Sequence, residues 1–286
     1  MTALVALKCD PNNIEECAHK LAKELERNSW VELLPQKQKE ALIPSYLLPQ
    51  GPGVVIPSGG SSGGRNQCLQ PCSHLDQSAK ATGEWIQKQQ EINPRDCLIL
   101  NPLPLHHVSG LMPWWRSRTW GAAHAWLSPA LMRDPIALEK SYLPFFKSGS
   151  RPAIVSMVPT QLIRLLSHPA GLRWLRALSL IWIGGAGLTD ALATKSRAEG
   201  LQLAPCYGAT ETAAMVTALN PRDFLMGRND CGTALEDVEL RIAENSALQV
   251  RTPRLAIARW TAQGIKSLQD RDGWWQSGDA AALTTN

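Results

Sequence analysis

Residues 178–189 read LSLIWIGGAGLT. An apolar run of strand length, Leu178 to Ile183, breaks at Gly184-Gly185-Ala186-Gly187, and Thr189 then stands where a helix N-cap belongs. A short apolar run, a glycine turn and a capped helix form the repeating unit of an α/β sheet. The unit recurs: Cys97 to Leu100 and Ala153 to Val158 read as strands, Thr160 to Ser167 as a helix, and Leu201 to Cys206 as a further strand. Upstream, Ile14, Cys17, Ala18, Leu21, Ala22 and Leu25 recur at helical spacing, with Asp10 as expected cap and Pro11 in the first turn. Val54-Val55-Ile56 reads as a buried strand. Ser73 with Asp76 three residues on is expected to cap a helix continued by Leu75, Ala79, Thr82 and Ile86. After about Gly232 the pattern becomes alternating, at Val238 to Ile242, Ala247 to Arg251 and Leu255 to Arg259, as in half-buried antiparallel strands. The fold expected is α/β: a helix-flanked, mostly parallel sheet followed by a smaller antiparallel β-rich part.

Composition excludes several classes. In 286 residues, 44% are hydrophobic and 19% charged, which suits a folded domain rather than a disordered chain. The +4 charge arises from 29 basic and 25 acidic residues scattered along the chain, so no nucleic-acid footprint is expected. No apolar run is long enough to span a bilayer and no export signal opens the chain, so membrane insertion is not expected and a cytoplasmic location is. Seven cysteines, with no C-x-x-C pair, read as reduced thiols rather than a disulfide framework or structural zinc site.

Four clusters carry polar chemistry. Ser58-Gly59-Gly60-Ser61-Ser62-Gly63-Gly64-Arg65 can turn backbone N–H groups toward an anion, and a strand before it and a capped helix after it favour phosphate; by itself it equally suits a flexible linker. No G-K-[ST] follows, so it is not a Walker loop. Tyr207-Gly208-Ala209-Thr210-Glu211 offers an aromatic face, a hydroxyl and a carboxylate for a base, a phosphate and a divalent metal, or a plain turn into a helix capped by Thr210. Asp279, after Ser277-Gly278, can accept from a ribose diol or from its own backbone. Leu103 to Gly110 follows a strand end, where ligands of open α/β sheets gather, and its His106-His107 pair lacks further metal-ligand spacing.

The order and separation of these clusters resemble the adenylate-forming superfamily of acyl-CoA synthetases, luciferases and peptide-synthetase adenylation domains. There a Ser/Thr/Gly loop, L-P-L-x-H-x-x-G, G-G-A, Y-G-x-T-E and W-x-x-[TS]-G-D follow one another, as residues 58–66, 103–110, 184–186, 207–211 and 274–279 do here. Within it, LPLHHVSGL with Trp114-Trp115-Arg116, and MVPTQLIRLL at 157–166, look most like the o-succinylbenzoate-CoA ligases of menaquinone and phylloquinone synthesis. The resemblance implies two steps: a carboxylate attacks the α-phosphorus of Mg-ATP and expels pyrophosphate, then the thiol of CoA attacks the acyl adenylate. It implies that Ser58 to Gly64 cradle the β- and γ-phosphates, with Arg65 standing near the place of the family's loop lysine. Tyr207, with Gly208 beside it, would lie against adenine; Thr210 would bond the α-phosphate, Glu211 would hold Mg2+ and Asp279 the ribose. Gly184, Gly185 and Ala186 would line the acyl and adenine pocket, His107 and Ser109 would border the acyl site, and Arg116 would meet the aromatic carboxylate. Thr210, Glu211 and His107 are the implied catalytic set.

On this reading residues 1–50 form a reduced N-terminal segment, 51–231 the nucleotide- and acid-binding core, and 232–286 the β-rich end. The family continues past its G-D motif into a small domain bearing a catalytic lysine, whereas seven residues follow Asp279 here. The expectation is a large domain without its lid, binding ATP and acid but turning over slowly or not at all. The alternatives are a synthetase for another aryl or fatty acid, and a non-catalytic nucleotide-binding pseudo-ligase.

Overall fold

Residues 3–37, 43–58, 66–147 and 151–284 are described in the computed structural model, residues 145–147 by their backbone alone. Gly59, Gly60, Ser61, Ser62, Gly63, Gly64 and Arg65, the core of the expected phosphate loop, lie outside the described residues. The chain begins with β1 (Leu4–Cys9), α1 (Ile14–Glu26), β2 (Trp30–Pro35), β3 (Gly53–Pro57) and β4 (Gln67–Pro71). Next come α2 (Cys72–Gln90), β5 (Leu98–Asn101), α3 (Val108–Trp120), β6 (Ala123–Trp126), α4 (Pro135–Lys147) and β7 (Ala153–Met157). Then follow α5 (Pro159–Leu166), α6 (Pro169–Arg176), β8 (Leu180–Ile183), α7 (Asp190–Ala198), β9 (Leu203–Ala209), β10 (Ala214–Ala218) and α8 (Pro221–Leu225). The last strands are β11 (Thr233–Ala234), β12 (Glu239–Ile242), β13 (Ala247–Arg251), β14 (Ala258–Thr261), β15 (Gly264–Lys266) and β16 (Trp275–Ala280).

The central sheet has seven strands in the order β11-β10-β9-β8-β7-β5-β6. Strands β6, β5, β7, β8 and β9 run parallel, β10 pairs antiparallel with β9, and β11 pairs antiparallel with β10. Both faces are covered, which is why the parallel strands read as continuous apolar runs. In β8, Ile181 and Ile183 enter one core with Val155, Leu165, Trp174 and Phe224, while Leu180 and Trp182 enter the opposite core with Trp85, Val216, Val250 and Trp275. Each such fully buried apolar side chain contributes about 1.5–3 kcal/mol relative to exposure. Thr189 accepts the Leu192 N–H at 3.4 Å and caps α7 as expected. Among the described residues no helix is long and apolar enough to cross a membrane, and all seven cysteines are free thiols.

A second sheet, β1-β2-β3-β4-β14-β15, is parallel from β1 to β3 and antiparallel beyond. Helix α2 lies between the sheets: its Leu75 and Ala79 pack with α1, α3 and β2–β3, and its Trp85 and Ile86 with the central sheet. Strands β12, β13 and β16 form a third, antiparallel sheet over that same central face.

Four local expectations are corrected. The glycine-serine stretch joins two antiparallel strands, with Pro57 opposite Gln67, rather than a strand and a helix. Helix α2 starts at Cys72 behind Pro71 with no side-chain cap, and Asp76 instead accepts the Trp115 indole N–H at 2.8 Å. Helix α1 starts at Ile14 with Asn13 at its cap, because Asp10 is engaged in a turn, accepting the Asn12 N–H at 2.9 Å. Of the alternating segment Leu255 to Arg259 only Ala258 and Arg259 enter a strand, β14, and it pairs with β4 of the second sheet rather than with β12 and β13.

Candidate functional site at the carboxyl edge of the central sheet

Because β5, β7, β8 and β9 are parallel, the segments 103–110, 157–166, 184–186 and 207–211 all leave the same edge of the sheet. That edge is where open α/β sheets hold ligands. Tyr207 and Gly208 lie within β9 rather than after it, and Thr210 opens a single 3-10 turn, Thr210–Thr212, rather than capping a helix. The chain then reverses through Ala213 (φ 51°) and Ala214 (φ 82°) into β10. A left-handed conformation at two successive alanines costs on the order of 1–3 kcal/mol each and persists only where surroundings enforce it. Gly208 permits the reversal, since a Cβ there would sit 2.2 Å from the Ala214 carbonyl oxygen.

The enforcing contacts reach in from elsewhere. Ser78 Oγ donates to the Ala213 carbonyl at 2.5 Å, and Gln70 Nε2 to that of Thr210 at 2.9 Å. The Ala256 N–H donates to the Glu211 carbonyl at 2.7 Å. Arg254, fully buried, donates to the carbonyls of Thr212 (2.6 Å) and Met215 (2.9 Å) and pairs with Asp237 at 2.7 Å. Backbone oxygens are thus held while the Thr210 and Glu211 side chains are left for other partners. Thr210 Oγ1 donates to the Pro57 carbonyl at 3.4 Å, and the Ser58 N–H to the Asn66 carbonyl at 2.9 Å, so the stem of the 58–66 loop stands beside Thr210.

Tyr207 and Asp279, far apart in sequence, meet: the phenol hydroxyl donates to Asp279 Oδ2 at 2.7 Å. Each sits at a break in strand register, Tyr207 opposite the irregularity between Met215 and Thr217, Asp279 opposite that between Ala247 and Gln249. Such bulges re-aim side chains. Burial first, and then the Asp279 carboxylate, raise the phenol's pKa, so the hydroxyl remains a donor. Gly184 borders the same strand, where a Cβ would lie 3.0 Å from Cys206 Sγ, and Gly185 turns with φ +79° beside an exposed Ala186.

Arg116 reaches this edge from α3. It is 2% exposed, its Cζ lies 4.9 Å from the Trp182 ring centroid, and its Nε and Nη2 have no hydrogen-bond partner among the described residues. Burial pulls its pKa down to about 10. His107, at the N-cap of α3, and Ser109 are exposed, and among the described residues no hydrogen bond joins either side chain to the Tyr207–Asp279 pair. Glu211 Oε1 accepts from Arg259 Nη2 at 2.6 Å. Sequence reasoning missed Arg254, Asp237, Ser78, Gln70 and Arg259. The one local signal was an arginine, Arg254, between Pro253 and the apolar Leu255-Ala256.

Burial also depresses the imidazoles of His106 and His124 to about 4 from an ordinary 6.5. As pH falls through 6.5 the unfolded chain takes up protons that the folded chain refuses until about 4. Stability is therefore expected to be full above pH 6.5 and to fall between 6.5 and 4, with a shallower fall for His124→Gln. Melting temperatures across that window check this; a flat profile would contradict it.

Residues 17–254 match the protein family described as "AMP-binding enzyme". The 2-succinylbenzoate–CoA ligase of Listeria monocytogenes is 25% identical over 181 residues, 63% of this chain and 37% of that protein. The indoleacetate–CoA ligase of Aromatoleum aromaticum is 26% identical over 247 residues, 81% of this chain and 45% of that protein. The chain thus spans less than half the length of these relatives. Among solved structures, o-succinylbenzoate CoA synthetase from Bacillus subtilis in complex with its acyl-adenylate intermediate has a TM-score of 0.74 at 15% identity, covering 97% of this chain and 65% of that one.

Proposed function

The chain belongs to the AMP-binding enzyme family, and from that premise we propose that it binds ATP and a carboxylic acid at the carboxyl edge of the central sheet and joins them as an acyl adenylate. In the forward direction a carboxylate oxygen attacks the α-phosphorus and pyrophosphate leaves. The thiol of CoA then attacks the acyl carbon, losing its proton, and AMP leaves. The acid we propose is o-succinylbenzoate, from the likeness to the Listeria ligase and the LPLHHVSGL and WWR segments.

The observation that carries the reading is convergence. The stem of the loop at Pro57, the turn at Thr210 and the Tyr207–Asp279 pair come from three distant parts of the chain and meet at one edge. Ser58 to Arg65 would bind the leaving phosphates, Tyr207 and Gly208 the adenine and Asp279 the ribose. Thr210 would hold the α-phosphate, and donors already fixed there lower the barrier as charge builds. His107, Ser109, Gly184, Gly185 and Ala186 would border the acid, with Arg116 against its aromatic carboxylate.

Arg259 occupies Oε1 of Glu211 and leaves the second oxygen outside that pair. This fits Mg2+, which commonly takes one or two carboxylate oxygens and otherwise phosphate oxygens and water. When bound, the ion offsets triphosphate charge. The test is melting with and without Mg-ATP and acid, joined to ATP–pyrophosphate exchange over a panel of acids. A ligand at one hundred times its Kd adds about 2.7 kcal/mol of stability. Exchange with indoleacetate and not o-succinylbenzoate would move the substrate to the second relative's class. ATP binding without exchange for any acid would leave a nucleotide-binding protein without ligase chemistry, and no melting shift would overturn the site.

A further inference from the structure

Arg259 stands in β14 opposite Cys68 of β4, the strand that leads out of the 58–66 loop. Its Nη2 lies 2.6 Å from Glu211 Oε1, the two side chains being 30% and 9% exposed. Its Nε is buried without a hydrogen-bond partner among the described residues. The Glu211 carboxylate therefore already has a counter-cation, whose side chain is partly exposed. A divalent ion approaching Glu211 meets a positive guanidinium within hydrogen-bond distance of the same carboxylate. It must share the carboxylate's charge or push the arginine away, and low exposure makes the repulsion count for more than it would in water.

We propose that Arg259 is the built-in cation of the nucleotide site: it compensates Glu211 before nucleotide arrives and so makes binding of a nucleoside triphosphate only weakly dependent on divalent metal. The inference rests on the reading of Glu211 as the metal-facing carboxylate of an ATP site. Removal of Arg259 exposes an uncompensated carboxylate to the polyphosphate, so ATP should then need the metal as bridge. The roles are positional: Arg259 sets how strongly metal and nucleotide binding are coupled, and takes no part in bond making.

The experiment is a calorimetric titration of the full chain with ATP, once with a chelator and once with millimolar Mg2+, for the wild type, Arg259→Met and Arg259→Lys. Coupling between two bound groups ordinarily amounts to about 5–150-fold in affinity. The wild type is expected to change by less than about fivefold between the two buffers, Arg259→Met by more, and Arg259→Lys, which keeps the charge, to stay near the wild type. A wild-type change well above about fivefold overturns the proposal without any variant, as does an equal change in wild type and a folded Arg259→Met. ATP that binds under neither condition refutes the nucleotide reading itself, and this proposal with it.

Discussion

Arg254→Met is expected to lower the unfolding free energy by about 3–5 kcal/mol, the usual consequence of removing one partner of a buried, hydrogen-bonded ion pair. The guanidinium is fully buried, and it meets Asp237 through two nitrogens, Nε at 2.7 Å and Nη2 at 3.3 Å. Its remaining donors go to the carbonyls of Thr212 and Met215 and, at 3.4 Å, to Ser78 Oγ. Methionine fills similar volume but leaves Asp237 without its cation and two carbonyls short of a donor. With about 2–4 °C per kcal/mol in a chain of this size, the melting point should drop by roughly 10 °C. Adding Asp237→Asn to Arg254→Met removes the stranded charge and should recover part of the loss, a non-additivity expected of groups in one network. The same arginine holds both ends of the Thr212–Met215 reversal, so at temperatures where the variant stays folded its affinity for ATP should also fall. A loss below about 1 kcal/mol in urea unfolding would show that Arg254 is not what fixes the turn.

The contrast between Arg254 and the elements around it explains what a reader of the sequence can find. Strands β7 and β8 and helix α7 were legible because their cause is local: apolar runs buried on both faces, and Thr189 at the cap position. Strand β4 was not, because Gln67 and Gln70 interrupt any apolar run although both are buried. They are buried because they have partners, Gln67 donating to Glu32 at 2.6 Å and Gln70 to the Thr210 carbonyl. The cap of helix α2 was displaced by two residues, from Ser73 to Pro71, because Pro71 sets its first turn, while Asp76 bonds Trp115 from the next helix. Alternation placed a half-buried strand at Leu255, three residues before β14 begins, and could not name its sheet, since pairing is a tertiary choice. At the site, Tyr207, Thr210, Glu211 and Asp279 stood in short motifs. Arg254 and Arg259 did not, because their partners Asp237 and Glu211 lie 17 and 48 residues away.

Arg116→Met should move stability and acid binding in opposite directions. In the wild type a guanidinium with 2% exposure has two nitrogens without hydrogen-bond partners among the described residues, and burial has already drawn its pKa down to about 10. Its contact with the Trp182 ring, at 4.9 Å, offsets only part of that cost, about 0.5–2 kcal/mol for a cation over an aromatic face. Each buried donor left unpaired costs about 1–3 kcal/mol. An apolar side chain of similar length should therefore raise the melting temperature, unlike nearly every other core substitution. On the proposed role of Arg116 in holding the acid, such a gain carries a functional loss. A charge-assisted hydrogen bond is worth about 1.5–3 kcal/mol, so the affinity for o-succinylbenzoate should fall roughly 10- to 150-fold while that for ATP stays unchanged. Arg116→Lys should recover little of it, because a point charge cannot offer the guanidinium's planar fork to a carboxylate. Melting with and without each ligand separates the possibilities. A variant that melts lower would make Arg116 a structural cation, and one that melts higher yet binds the acid as before would send the carboxylate elsewhere on the sheet edge.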